Sequence, residues 1–158
     1  MKKETILISA FPGCGKSTTY MTYKGKIIVL DSDSAFFPKT NFPKNYIEHI
    51  KKQIGVADIV FISSHKEVRD ALRNENIPFH IIYPSIKRKK EFLENYKNRG
   101  NGSFFIRNLN NNFERFINEI EHEEFDGVKI KLENEGDFIM NNEWFNNELN
   151  KILNKNEW

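Results

Sequence analysis

One cysteine, Cys14, is all the chain contains, so no internal disulfide can form and burial has to hold the fold together. Excess charge is equally scarce. The 24 basic and 22 acidic residues leave a net charge of +2, which argues against a dedicated duplex-DNA binder, because such a domain normally carries a clear basic surplus. Long apolar runs are missing too, since nothing approaches the roughly 20 residues a membrane helix needs. Behind Lys2 and Lys3, the apolar stretch 5–10 is cut short by Pro12 and Gly13, too soon for a signal peptide. The chain therefore reads as cytoplasmic, with no membrane partner. Neither an internal repeat nor a composition break marks a second domain.

What the chain does have is enough apolar material for one core. Of 158 residues 39% are hydrophobic, and 14 phenylalanines supply large faces to bury. Short apolar runs alternate with polar stretches of helical spacing, the pattern of an α/β domain built on a mostly parallel sheet. Strands are expected at 5–10, 26–31, 58–63, 79–83 and 127–132. Helices are expected at about 16–23, 44–53, 66–74, 86–98, 110–122 and 142–153. Pro38 and Pro43 mark a loop after the second strand, and Arg99-Gly100-Asn101-Gly102 breaks the fifth helix from the fourth.

Between the first strand and the first helix lies Ala10-Phe11-Pro12-Gly13-Cys14-Gly15-Lys16-Ser17. A loop that wraps a phosphate needs small residues, inward-pointing backbone N–H groups and a helix N-terminus behind them. Gly13 and Gly15 permit the close approach, Lys16 can reach the β- and γ-phosphates, and the Ser17 hydroxyl can ligate Mg²⁺. Pro12, Cys14 and Thr18 complete the stretch. Ala10 stands where the motif usually opens with glycine, a change that costs little if the position has ordinary φ. Cys14, close to a helix N-terminus, is in a position that favours its thiolate, but the plainer and preferred reading is a tolerated small side chain.

Asp31 and Asp33 follow the second strand, at the end of the sheet where α/β proteins bind ligands. A carboxylate there can accept an acceptor's hydroxyl proton or hold Mg²⁺, or it can simply cap a turn. Asp33, further into the loop, is the preferred base and metal ligand, with Asp31 as the alternative. The third strand ends in Ser63-Ser64-His65 and lacks the metal-orienting Asp of many P-loop ATPases. A guanine-reading Asn/Thr-Lys-x-Asp segment is also absent, which weakens the motor and GTPase readings. Ser64 is a candidate cap for the next helix, and Arg69 either faces a substrate or lies on the surface.

Lys87-Arg88-Lys89-Lys90 comes after the fourth strand, and Arg99 precedes two glycines able to act as hinges. Residues 86–103 are therefore expected to form a mobile lid, with Arg88 and Arg99 supplying charge to a transferring phosphoryl group. The plain alternative is a solvated basic helix face. Arg107 and Asn108–Asn112 are candidates to approach a nucleotide base, while Phe104 and Phe105 more simply join the core.

The P-loop, Asp31-Ser32-Asp33, the Ser63–Asp70 segment and the basic stretch 87–99 occur in the order seen in small P-loop kinases. The chain resembles the nucleoside- and nucleotide-kinase superfamily, with shikimate- and gluconate-kinase-like features, and is similar to small kinases of bacteriophages. That resemblance spans about the first hundred residues. It implies a single three-layer domain with a five-stranded sheet, the P-loop strand central, and helices on both faces. It also implies ATP and Mg²⁺ as cofactors, donor phosphates held by residues 13–18, a base at Asp33 or Asp31, and lid cations at Arg88 and Arg99. The expected activity is transfer of the γ-phosphoryl of ATP to a nucleotide or nucleoside. The alternatives are a nucleic-acid end or modified base as acceptor, with Lys51, Lys52 and Arg73 tracking a strand, and a nucleotide-binding module without turnover.

Overall fold

A strand buried on both faces has no polar side to show, and the runs Leu7-Ile8, Ile59–Ile62 and Ile81–Tyr83 are all buried. Such strands pair in parallel and need a helix on each crossover. In the computed structural model, which describes residues 3–155, that is the arrangement. Strands β1 (Ile6–Ala10), β2 (Val29–Ser32), β3 (Ile59–Ser63), β4 (His80–Pro84) and β5 (Lys129–Leu132) form one all-parallel sheet in the order β2-β3-β1-β4-β5. The six helices among the described residues are α1 (Lys16–Tyr23), α2 (Lys44–Gln53), α3 (Lys66–Asn74), α4 (Lys89–Asn98), α5 (Ser103–His122) and α6 (Glu143–Lys155). None of them is long and apolar enough to cross a membrane.

Alternation along the strands sends neighbours to opposite layers. Leu7, Val60 and Ile62 meet Tyr46, Ile47 and Ile50 of α2 and Val68 and Leu72 of α3. Ile8 and Phe61 belong to the other cluster, where Phe61 stacks on Phe145 of α6 and His80 meets Trp144 edge-on. Tyr20 and Tyr23 of α1 pack against the same cluster. The result is helices on both faces of a central β1, as expected. From β1 the chain crosses over β3 to reach β2, and from β3 it crosses over β1 to reach β4. Strand order thus reverses between β1 and β3, and a crevice opens there at the carboxyl ends.

Several elements differ from expectation at their edges. Sheet pairing of β2 starts at Val29, not at 26, because the N–H groups of Lys26 and Ile27 donate to the Tyr23 carbonyl and close the end of α1. The helix expected at 86–98 begins as a 3-10 turn over Ile86–Arg88, where the Ser85 hydroxyl accepts from the Lys87 N–H, and continues as α4. The largest difference is α5, which starts at Ser103, seven residues before the expected Asn110. Its apolar ladder Phe105, Leu109, Phe113, Ile117, Ile120 keeps helical spacing throughout, and Ile106 N–H already donates to Gly102.

Candidate phosphate-binding site

The loop after β1 has the backbone its residues call for. Gly13 (φ +91°) and Gly15 (φ +104°) both lie in the left-handed region that favours glycine. Gly13 has a second constraint, because a Cβ there would sit 2.9 Å from a ring carbon of Tyr96. Ala10, by contrast, is the last residue of β1, paired with Ser63 and Ile82 and without positive φ, so the alanine costs the loop nothing. At the start of α1 the N–H groups of Gly15, Lys16, Ser17 and Thr18 have no acceptor among the described residues. They form the positive, concave end that suits a phosphate.

Three neighbours pin the loop from outside. Phe11 N–H donates to Ile82 of β4 (3.0 Å), the Tyr96 hydroxyl donates to the Pro12 carbonyl (2.6 Å), and Ile139 N–H donates to the Cys14 carbonyl (3.0 Å). Cys14 itself is fully buried. Burial pushes its thiol up to about 12, outweighing the pull of Lys16 and Arg88, so it is protonated at neutral pH. This fits the tolerated small side chain rather than a thiolate, because burial removes the solvation that a charge needs.

Of the two carboxylates, Asp31 is the one that meets the loop. Its Oδ1 lies 3.9 Å from Lys16 Nζ, and its Oδ2 accepts from the Ser17 hydroxyl at 3.3 Å. Asp33 bonds within its own turn, where its Oδ1 caps a 3-10 helix over Ser34–Phe36 by accepting from Ala35 N–H (2.9 Å). Of the two carboxylates considered as a partner for Ser17 at a metal, the structure brings Asp31, not Asp33, to the Ser17 hydroxyl. The reason is register, since Asp31 is still within β2, opposite Phe61, while Asp33 lies past the strand's last paired residue. A serine hydroxyl and one carboxylate are hard oxygen donors of the kind Mg²⁺ takes, with water and phosphate oxygens filling its other positions. No group of three or more His, Cys, Asp or Glu residues converges as a self-sufficient metal cage among the described residues.

A buried polar network that the sequence reading missed fixes this edge of the crevice. The Tyr46 hydroxyl donates to the Ser32 carbonyl (2.6 Å) and accepts from Ser63 N–H (3.0 Å), tying the ends of β2 and β3 together. Ser63 Oγ donates to Ser34 Oγ (2.8 Å) and accepts from Ser34 N–H, and Ser32 Oγ lies 3.1 Å from His49 Nε2. Burial raises the Tyr46 phenol to about 12. Nothing local in the sequence signals that the Tyr46 hydroxyl reaches two strand ends. His65, not Ser64, occupies the cap position of α3, and burial lowers its imidazole below the usual range. The Ser64 carbonyl instead accepts from Arg69, which is buried and paired with Glu123 (3.0 Å), so Arg69 neither faces a ligand nor lies on the surface.

On the other side of β1, the basic segment is mostly neutralised. Arg88 is only 3% exposed and makes a two-pronged pair with Glu91 (2.7 and 2.8 Å). It also donates to the carbonyls of Leu132 (3.3 Å) and Asp137 (2.8 Å), and its guanidinium carbon lies 5.0 Å from the ring centre of Phe92 and 5.2 Å from that of Phe138. Arg88, expected as a lid cation, is thus buried and paired in this structure. A guanidinium with a carboxylate, two carbonyls and two ring faces is a structural cross-link. Lys87 pairs with Glu133 and Lys89 with Glu114. Along α4, Phe92 and Tyr96 are fully buried in the main core against the P-loop, so this part of the expected lid is integral to the domain. Arg99 stays exposed, over the Tyr96 ring and bonded to Asn101. Arg107 is exposed on α5, and Asn108 and Asn112 bond to each other, not toward the loop.

Segment 134–141 is a second feature that sequence reading passed over. Asn134 N–H donates to Asp137 Oδ2, Phe138 N–H to Asn141 Oδ1, and the Asn141 amide to the Gly136 carbonyl. These local bonds fold the segment so that Phe138 and Ile139 come against Gly15. Its signal was the Asn/Asp/Gly spacing itself.

No family model matches the chain, and no curated protein sequence matches it.

Proposed function

We propose that the chain is an ATP-dependent phosphotransferase of the small P-loop kinase kind, with a nucleotide or nucleoside as acceptor. The observation that carries this reading is Asp31, held 3.9 Å from Lys16 and 3.3 Å from Ser17 at the mouth of a loop with two left-handed glycines. A loop that only bound a phosphate would need no carboxylate beside its lysine and serine. A loop that transfers phosphoryl groups needs a place for a divalent cation.

Roles follow from the contacts. Backbone N–H groups of residues 15–18 hold the donor's phosphates, and Lys16 neutralises charge on the group in transit. Ser17 and Asp31 would hold Mg²⁺, which would supply positive charge to offset that of the phosphates. Asp31 is already committed to a cation and a hydroxyl, so it is the poorer base. Asp33 keeps Oδ2 for an acceptor hydroxyl after Oδ1 has capped the turn. The acceptor oxygen bonds to the γ-phosphorus as the bond to the β–γ bridging oxygen breaks. The hydroxyl proton passes to Asp33, and ADP leaves with the bridging oxygen's electron pair.

The test is ADP release from ATP and Mg²⁺ with a panel of nucleosides and nucleoside monophosphates. Stimulation by an acceptor, lost in Lys16→Ala, is expected; no stimulation by any acceptor, or full transfer by Lys16→Ala, overturns the reading. A second reading, a nucleotide-binding module without turnover, draws support from the burial of Arg88 and the pairing of Lys87 and Lys89, which leave few cations for a transition state. Tight binding of a non-hydrolysable ATP analogue without product from any acceptor would favour it.

A further inference from the structure

The two most exposed large apolar side chains among the described residues are Phe36 (86%) and Phe104 (82%). Phe104 opens α5, where its neighbour Phe105 packs edge-on against Tyr96. Phe36 is the more informative, because everything around it is held in place. Its turn begins at Asp33, whose Oδ1 caps it, and Phe36 N–H donates to the Asp33 carbonyl. Ser34 is buried and double-bonded to Ser63 through its hydroxyl and its N–H. Phe37 enters a box made by Tyr46 (5.0 Å) and His49 (5.1 Å). Tyr46 in turn is bonded to the ends of both β2 and β3. The aromatic pair is therefore split: Phe37 is an anchor, and Phe36 is turned fully to solvent by a turn that has little freedom to withdraw it.

Burying a phenylalanine ring stabilises a fold, and that gain is forgone at this one residue while a network fixes its neighbours. A ring held open to solvent on a pre-ordered turn loses little entropy when something flat is laid on it. It also stands in the same turn as Asp33, the proposed base. Resting on the phosphotransferase reading, we propose that Phe36 is the stacking platform for the planar ring of the acceptor. The acceptor class is then a nucleobase-bearing molecule with its hydroxyl at Asp33, and a ring-free sugar or hydroxy acid is excluded. A free nucleotide and the terminal nucleotide of a single strand share this chemistry.

The test separates binding from turnover. Calorimetric titrations of wild type, Phe36→Ala and Phe36→Trp would use a non-hydrolysable ATP analogue, a panel of nucleosides and nucleoside monophosphates, ribose 5-phosphate, and short oligonucleotides with a 5′-hydroxyl. At least one base-bearing probe is expected to bind wild type and to weaken roughly ten- to a hundredfold in Phe36→Ala, with binding restored in Phe36→Trp. Affinity for the ATP analogue should not move. Whether the nucleotides or the oligonucleotides show the loss identifies the source of the ring. Equal affinities in wild type and Phe36→Ala, an equal loss for ribose 5-phosphate, or no base-bearing probe bound at all would overturn the proposal. The phosphotransferase reading fails separately, through absence of ADP release while the Phe36-dependent binding persists.

Discussion

The two flanks of β1 make opposite use of polar residues. On the β2–β3 side, neutral groups (Tyr46, Ser32, Ser34 and Ser63) satisfy one another and the strand ends, and the carboxylates Asp31 and Asp33 remain at the crevice. On the β4–β5 side, a run of four cations ends mostly in ion pairs, and the one best suited to grip phosphate, Arg88, is buried against two phenylalanines and paired with Glu91. A charge run in a sequence counts charges but says nothing of where they point. Burial and the carboxylates available nearby decide that, and here they turn a candidate lid into a wall of the domain.

This contrast can be broken at several points. The largest expected effect is at the crevice. Asp33→Asn should lower kcat roughly a hundred- to ten-thousandfold with the KM for ATP unchanged, whereas Asp31→Asn should chiefly raise the Mg²⁺ concentration needed for half-maximal rate. Steady-state kinetics across a Mg²⁺ series would read both, and a reversed pattern would exchange the two roles. On the opposite flank, Arg88→Ala should destabilise by about 3 kcal/mol in urea unfolding, because Glu91 and two carbonyls lose their donor. Arg99→Ala, at the surface, should stay within about 0.5 kcal/mol. A mild Arg88 variant with a large kinetic defect would restore it as a catalytic cation.

Tyr46→Phe should cost about 1–3 kcal/mol by leaving Ser63 N–H and the Ser32 carbonyl unpaired, measured by the same unfolding curves. The smallest effect concerns pH. Burial holds His65 and His80 below the ordinary imidazole value of 6.5, so the unfolded chain takes up protons that the folded chain refuses. Stability is then fully present above pH 6.5 and declines as pH falls below it, with a shallower decline in a His65→Gln, His80→Gln variant. Urea midpoints at pH 7.5, 6.5 and 5.5 would check the slope. A flat profile in the parent would mean that neither histidine is held neutral.

Much of the fold was legible. Helices α1, α2 and α3 begin and end where periodicity, glycine and proline place them, and each strand was found to within three residues. The start of α5 was missed although its ladder was visible, because Phe104 and Phe105 were assigned to the core ahead of a helix when they already belong to it. At the site, Lys16, Ser17 and the carboxylate pair were legible as candidates. Which carboxylate faces the loop was not, because Asp31 and Asp33 share composition and neighbourhood and differ only in β2's register against β3.

By itself, then, the sequence determined the glycine loop between β1 and α1. Eight contiguous residues carry it, and lacking a Cβ lets Gly13 and Gly15 adopt left-handed φ at little steric cost. Tertiary structure alone decided the fate of the charges around it. Arg88 became a buried cross-link through Leu132 and Asp137, more than forty positions away in the chain, and Tyr46 reached the end of β3, seventeen positions on. Conformation at a glycine is set by its own backbone, whereas the solvation and pairing of a charge are set by whatever the fold brings beside it.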